Sequence, residues 1–358
     1  MPHPRIVCGL TALLALPLLA AAGCGGTQPN ASGVSSSVPA ADTTAATAAS
    51  SSAAPTPTAP AQTTSASANT TAKTTAKTTQ AAARTTAAAT AAPTAAPVSL
   101  PKFDLQEGHR YEGHPVTLFT YPVYDGHSIV QGGTFDGTYC YVAAIDNKTA
   151  PETVYITKYD RAGNIVARSQ KLQLDHANDI TYVKKWDKLL ISHCQPANGV
   201  KDDGAYRRYS LVDPVTFAVT ETKELPQPFF AMAYDPQRDA FFSARWSGET
   251  LDFWNGDLTH RQSIGVDRPQ GTSQGIAADG TYLFCARYAP HYLYIYDKDG
   301  RQLFDVPLVM GDLGEPEFLS VVDGVLYIGG NDPTWTGGYF AALELKDVTK
   351  GQAGGWKK

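Results

Sequence analysis

Gln274-Gly-Ile-Ala-Ala-Asp279-Gly280, Tyr282-Leu-Phe-Cys-Ala286, Tyr292-Leu-Tyr-Ile-Tyr-Asp297 and Gln302-Leu-Phe-Asp-Val306 follow one another as four short runs rich in aromatic and β-branched residues. Asp279-Gly280 and Asp299-Gly300 stand between runs, and Asp-Gly pairs supply the backbone geometry of a tight turn between antiparallel strands. Four strands joined by tight turns read as one small antiparallel sheet.

The same opening recurs on both sides. It is Gln131-Gly-Gly-Thr-Phe-Asp136-Gly137, Asn178-Asp-Ile-Thr-Tyr182, Phe230-Ala-Met-Ala-Tyr-Asp235-Pro236 and Glu317-Phe-Leu-Ser-Val-Val-Asp323-Gly324. The lead positions are 47, 52, 44 and 43 residues apart, and a polar residue leads every copy except the one that begins with Phe230. Second strands follow at Tyr139-Cys-Tyr-Val142, Lys188-Leu-Leu-Ile-Ser192, Ala240-Phe-Phe-Ser-Ala244 and Val325-Leu-Tyr-Ile328. Four strands at a period near 45 residues define a propeller blade. Five copies predict an all-β, five-bladed propeller, with six blades, one of them degenerate, as the alternative. Residues 115–124 are strand-like and either close the ring or add an extra strand. No part of the domain has a helical period.

The propeller occupies residues 99–358. Residues 25–98 are almost wholly Ala, Thr, Ser, Pro and Gln, with no aromatic residue and only Asp42, Lys73, Lys77 and Arg84 charged. So little apolar bulk does not offset the entropy of ordering, and the segment reads as a disordered tether. Before it, Arg5 gives a basic start, residues 6–19 are apolar but too short to span a bilayer, and Ala20-Ala-Ala-Gly-Cys24 follows. Small residues just before a cysteine resemble the bacterial lipobox, although Ala21 stands where leucine is usual. The resemblance implies a signal peptide over residues 1–23, a lipidated Cys24 and an extracytoplasmic, lipid-anchored protein whose only membrane contact is the anchor. An ordinary signal peptide is the alternative. The domain itself holds 25 basic and 33 acidic residues, a formal charge of −8, which argues against binding nucleic acid or anionic lipid. Its cysteines, Cys140, Cys194 and Cys285, are odd in number and form no Cys-x-x-Cys pair, so neither disulfides nor zinc are expected. Buried inert thiols are expected instead.

Asp175-His-Ala-Asn-Asp-Ile-Thr-Tyr182, Ser273-Gln-Gly-Ile-Ala-Ala-Asp-Gly280 and Gly314-Glu-Pro-Glu-Phe-Leu319 resemble blade openings of helveticin J-like cell-surface proteins of Gram-positive bacteria, over about residues 127–345. Phe318-Leu319 departs from that pattern, which has a small residue after Pro-Glu. The resemblance implies a five-bladed propeller at the cell surface and no defined reaction.

In a propeller, the start of each first strand and the end of each second strand meet around one mouth. The repeats place Gln131, Asn178, Phe230, Gln274 and Glu317 in a first ring, preceded by His127, His176 and Glu315. Ala144, His193, Arg245, Arg287 and Gly330 form a second, followed by Trp246, Tyr288 and Asn331. Aromatic faces beside amides, imidazoles and guanidiniums suit a saccharide or polar peptide. The candidate ligand-binding residues are therefore His176, Asn178, Asp179, His193, Arg245, Trp246, Gln274, Arg287, Tyr288 and Glu317. On this reading the chain is a surface-anchored binding protein for an extracellular glycan, cell-wall fragment or polar peptide. The alternatives are a secreted hydrolase or lyase acting on such a polymer, with His176 or His193 as base and Glu317 as partner, or a protein scaffold using loops such as 195–208. The arginines alternatively pair with Glu317 or Asp179. No cofactor is expected. Calcium would draw on Asp179, Asp312, Glu315 and Glu317, without any Asp-x-Asp-x-Asp spacing.

Overall fold

The structure, a computed structural model, describes residues 99–122, 128–146, 151–194, 204–267 and 269–349. The signal segment, Cys24, the tether, His127 and residues 195–203 of the outer loop lie outside the described residues. The chain divides into Met1–Ala88 and Ala89–Lys358, and the second unit holds every described strand.

Twenty strands form five four-stranded antiparallel sheets. The first blade is β2 (Ser128–Phe135), β3 (Cys140–Asp146), β4 (Thr153–Tyr159) and β5 (Ile165–Arg168). The second is β6 (Asp179–Val183), β7 (Lys188–Ser192), β8 (Arg208–Val212) and β9 (Val219–Glu224). The third is β10 (Ala231–Asp235), β11 (Ala240–Ala244), β12 (Thr250–Asn255) and β13 (His260–Gly265). The fourth is β14 (Thr272–Ala278), β15 (Tyr282–Tyr288), β16 (Tyr292–Asp297) and β17 (Gln302–Pro307). The fifth is β18 (Pro316–Val322), β19 (Val325–Asn331), β20 (Gly337–Asp347) and the first strand of the domain, β1 (Tyr111–Pro122). The fold is a five-bladed β-propeller.

Successive side chains of a strand point to opposite faces of its sheet, and both faces of a blade are covered by neighbours. The inner strands are therefore apolar on both faces, whereas outer strands such as β9 and β13 are largely exposed. In the fourth blade, Phe284, Ala286, Leu293 and Ile295 pack toward the fifth, while Leu283, Cys285, Tyr294 and Tyr296 pack toward the third. One apolar cluster fills each of the five blade junctions. The three cysteines are buried and unpaired, and burial pushes the pKa of each thiol up.

The Asp-Gly signals act as read. Asp136 Oδ1 accepts the amides of Thr138 at 2.6 Å and Tyr139 at 2.7 Å, and Asp279 Oδ1 does the same for Thr281 and Tyr282 at 2.8 and 2.7 Å. Gly137 and Gly280 follow at φ of 98° and 88°, a region costly for residues with a Cβ.

The strand-like run near residue 115 closes the ring. β1 pairs antiparallel with β20 from Tyr111–Asp347 to Pro122–Gly337, with one irregularity between Thr117 and Phe119. This makes β1 the outer strand of the fifth blade and leaves no sixth sheet among the described residues. Phe119 and Tyr121 seal the junction of the fifth and first blades against Phe340 and Tyr159. Ahead of β1, Phe103 packs edge-on against Phe284 with centroids 5.2 Å apart, and its amide donates to the Gly324 carbonyl at 3.3 Å. A chain beginning at Ser99 should therefore melt cooperatively as a monomer. One beginning at Asp125 should lose its sharp thermal transition and self-associate through the bared β20 edge, as read by circular dichroism and size-exclusion chromatography. A monomeric, cooperative shorter chain would show that closure is dispensable.

Candidate functional site

The lead residues reach the mouth by a device that the sequence pattern does not reveal. In three blades the first strand carries an irregularity at the lead position: Val130/Gly132 in β2, Ser273/Ile276 in β14 and Pro316/Phe318 in β18. Gln131, Gln274 and Glu317 fall within these interruptions, and a bulge re-aims the side chain it carries. In the second and third blades the first strand pairs regularly with the second. There Asn178 and Phe230 sit one residue before the strand, their amides donating to the carbonyls of Ser192 at 2.9 Å and Ala244 at 2.8 Å. Small residues let the inner strands approach at the bulges: a Cβ on Gly132 would lie 2.7 Å from Asp179 Cα, and one on Gly275 would lie 2.4 Å from Phe318 Cα.

Between the fourth and fifth blades the bulges gather a carboxyl pair. Glu315 accepts a hydrogen bond from Gln274 Nε2, and Glu317 Oε1 accepts one from Asn331 Nδ2 at 2.7 Å. Asn331 also clasps the first blade, accepting from the Val130 amide at 2.9 Å and donating to its carbonyl at 3.0 Å. Glu317 is buried and Glu315 partly so. Burial pushes both carboxyl pKa values up, and the charge of Glu315 adds to the rise at Glu317. The half-buried Tyr288 feels both carboxylates, as does the fully buried Tyr339, whose hydroxyl has no hydrogen-bond partner. Sequence reasoning passed over Tyr339, because it lies on a third strand outside both rings.

In the second blade the histidines are engaged. His193 Nδ1 lies 2.6 Å from Asp175 Oδ2 and its Nε2 lies 2.8 Å from Ser210 Oγ, while Asp175 also pairs with Arg208 at 3.0 Å. Burial works to raise the Asp175 pKa, but the contacts with His193 and Arg208 outweigh it and bring the pKa down. His176 Nδ1 lies 3.1 Å from Glu152. Asp179 is buried; its Oδ2 accepts the Met232 amide of the third blade at 3.0 Å, and its Oδ1 has no partner, nor has the neighbouring Asn178 Nδ2. Burial drives the Asp179 carboxyl pKa strongly upward. Among the described residues, no three His, Cys, Asp or Glu side chains are grouped to hold a metal ion.

The arginines do not join the acidic pair. Arg245 makes a two-point contact with Asp252, through Nε at 2.9 Å and Nη2 at 3.0 Å, and Nη2 reaches Gln227 Oε1 at 3.2 Å. Arg287 is 2% exposed, its guanidinium lying against Gly248 and donating to backbone carbonyls of Ser247 at 2.9 Å, Gln270 at 3.2 Å, Pro269 at 3.5 Å and Gly271. The expected pairing with Glu317 or Asp179 is thus replaced by Asp252 for Arg245 and by carbonyls for Arg287. The physical reason is that the loop 269–271 folds over Arg287 and brings three acceptors to one fork, with the Ser247 carbonyl as the fourth.

On the same face, between the second and third blades, lies a cleft of about 290 Å³ lined by Cys194, Tyr206, Pro228, Phe229, Phe230, Arg245, Trp246 and Ser247. Trp246 and Tyr206 are 52% and 42% exposed, and Trp246 meets Phe230 edge to face with centroids 4.7 Å apart. Phe230, which breaks the polar lead pattern, is the floor of this cleft. Tyr206, Pro228 and Phe229 lie in inter-strand segments that repeat alignment does not bring together.

A larger funnel, about 700 Å³, opens at the opposite end of the channel, where the first strands of all five blades finish. Thr134, Thr181, Ala233, Ala277 and Ser320 wall it, and the Asp136, Asp279 and Asp323 turns rim it. None of the candidate residues lines it.

No family model matches the chain, and no curated protein does. Among solved structures, the crystal structure of glutaminyl cyclase from Myxococcus xanthus is similar at a TM-score of 0.49 and 10% identity, over 66% of this chain and 100% of that one. A streptogramin B lyase is similar at a TM-score of 0.40 and 9% identity, over 66% and 98% of the two chains.

The four-carbonyl cage makes a stability prediction. Replacing Arg287 with Ala strands buried acceptors and should cost about 2–4 kcal/mol, or on the order of 5–15 °C in melting temperature for a domain of this size. Lys, a single point donor, should restore only part of it. A melting temperature unchanged by Arg287→Ala would mean that the cage contributes nothing.

Proposed function

We propose that this chain is a surface-anchored binding protein that takes an extracellular glycan or cell-wall fragment in the mouth-face cleft between the second and third blades. The observation that carries this reading is the pair of exposed rings, Tyr206 and Trp246, set over a buried Phe229–Phe230 floor with Arg245 at the edge. Apolar ring faces stack on the C–H faces of sugars, and a guanidinium already fixed by Asp252 presents donors with little entropy left to lose. Trp246 stands two residues past the end of β11 and Phe230 leads directly into β10, so the platform is held close to the rigid sheet.

The anchor supported by this reading is a lipid on Cys24, with residues 25–98 as spacer. Expressed in its host, the Cys24→Ser chain should lose processing at Gly23 and partition away from the membrane, which mass spectrometry of the amino terminus and cell fractionation would detect. Normal acylation and retention of that variant would rule the anchor out.

Binding of the full chain to purified cell walls and to N-acetylhexosamine oligomers tests the cleft. Trp246→Ala and Tyr206→Ala should each weaken binding by roughly tenfold, in line with the 1–1.5 kcal/mol of an aromatic contact. Their melting temperatures should barely move, because exposed side chains contribute little to stability. Undiminished binding by both variants would refute the cleft as the site, and release of soluble fragments would establish a hydrolase or lyase instead.

A further inference from the structure

We infer that the axial end of the mouth, between the fourth and fifth blades, is a seat for a primary alkylammonium group held by the carboxylates of Glu315 and Glu317. This seat uses other blades and other residues than the aromatic cleft, so it stands or falls independently of the glycan reading.

Three observations carry it. The first is that the pair is under-satisfied. Two carboxyl groups offer about eight lone-pair positions, yet each receives a single side-chain donor, Gln274 on β14 and Asn331 on β19. Among the described residues neither carboxylate makes an ion pair, and both nearby arginines are committed elsewhere. Buried carboxylates are normally paired with a cation, and here the protein supplies none.

The second is Tyr339. Its hydroxyl is fully buried and has no partner, and both carboxylates act with burial to push its pKa up. Buried polar atoms are rarely left unsatisfied without a reason. A primary ammonium has three N–H donors, and Glu315, Glu317 and Tyr339 offer one acceptor group each.

The third is what the surroundings exclude. An anion would meet two carboxyl groups with no basic side chain between them. Among the described residues no third His, Cys, Asp or Glu is grouped with the pair, so a divalent metal would have to fill most of its shell from amide and carbonyl oxygens or water. A quaternary ammonium carries no N–H to donate. The chemistry left is a hydrogen-bonding cation on a slender stem, such as a lysine-type side chain or a free diamino acid, with the half-buried Tyr288 ring beside the stem.

Proton linkage gives the test its sign. The titratable groups around the pair are tyrosines: Tyr288 on β15, Tyr339 on β20 and Tyr121 on β1. With no cation present, burial and mutual repulsion favour protons on the pair. A bound ammonium favours the carboxylates and expels those protons, so affinity should rise with pH by up to about tenfold per unit for each proton released.

The experiment is titration calorimetry on the full chain with Nα-acetyl-lysine methylamide at pH 5.5, 6.5 and 7.5, each in two buffers of different ionisation enthalpy and at two salt concentrations. Expected are binding that tightens with pH, net proton release, persistence at high salt and loss of binding for the Nε-acetylated probe. Glu315→Gln should weaken binding at least tenfold and flatten its pH dependence. Glu317→Gln should do the same. If burial makes that second variant unstable, the partly exposed Glu315 still decides the matter. Equal binding of the acetylated probe, binding indifferent to pH, or no binding at about 10 mM would overturn the seat.

Discussion

The structure depends on one pairing, that of β1 with β20. Every other blade is built from consecutive strands, but the fifth takes its outer strand from the beginning of the domain. That pairing converts a row of sheets with two open ends into a ring. Only in a closed ring does each blade have a neighbour on both faces, which the apolar strands require. The channel, its two mouths and the spacing of the residues around them all follow from closure.

Closure was legible in part. The period near 45 residues and the Asp-Gly turns point to a propeller of five sheets, with six blades as the alternative, because four short strands at that spacing make one blade. The run around residue 115 carried the strand pattern, but pattern alone does not say which edge a strand will join. That is decided by Phe119 and Tyr121, which have a pocket only against Phe340 and Tyr159.

The mouth was legible as a neighbourhood and less so as a geometry. Alignment of repeats placed the lead residues and their neighbours around one mouth; the structure joins Gln274 to Glu315 and Asn331 to Glu317, and sets Phe230, Arg245 and Trp246 in a separate cleft. The alignment treated the five lead positions as equivalent, whereas the first strand is bulged at that position in three blades and pairs regularly with the second strand in the other two. A bulge depends on how two strands pair, which one strand's sequence does not express. The fate of Arg287 was equally hidden: its carbonyl partners are backbone atoms of a loop, and backbone acceptors leave no trace in residue type. The result is a mouth with two unlike halves, a carboxyl pair between the fourth and fifth blades and an aromatic cleft between the second and third.

The three unpaired thiols have a consequence of another kind. Cys140, Cys194 and Cys285 each occupy an apolar blade junction, and burial holds each in its unreactive protonated form. Nothing in the propeller therefore depends on an oxidant. With no disulfide among the described residues, oxidising surroundings add no covalent link to the fold. Many small disulfide-stapled domains tie their fold to such surroundings; this propeller is held by the interlock of its first and last strands.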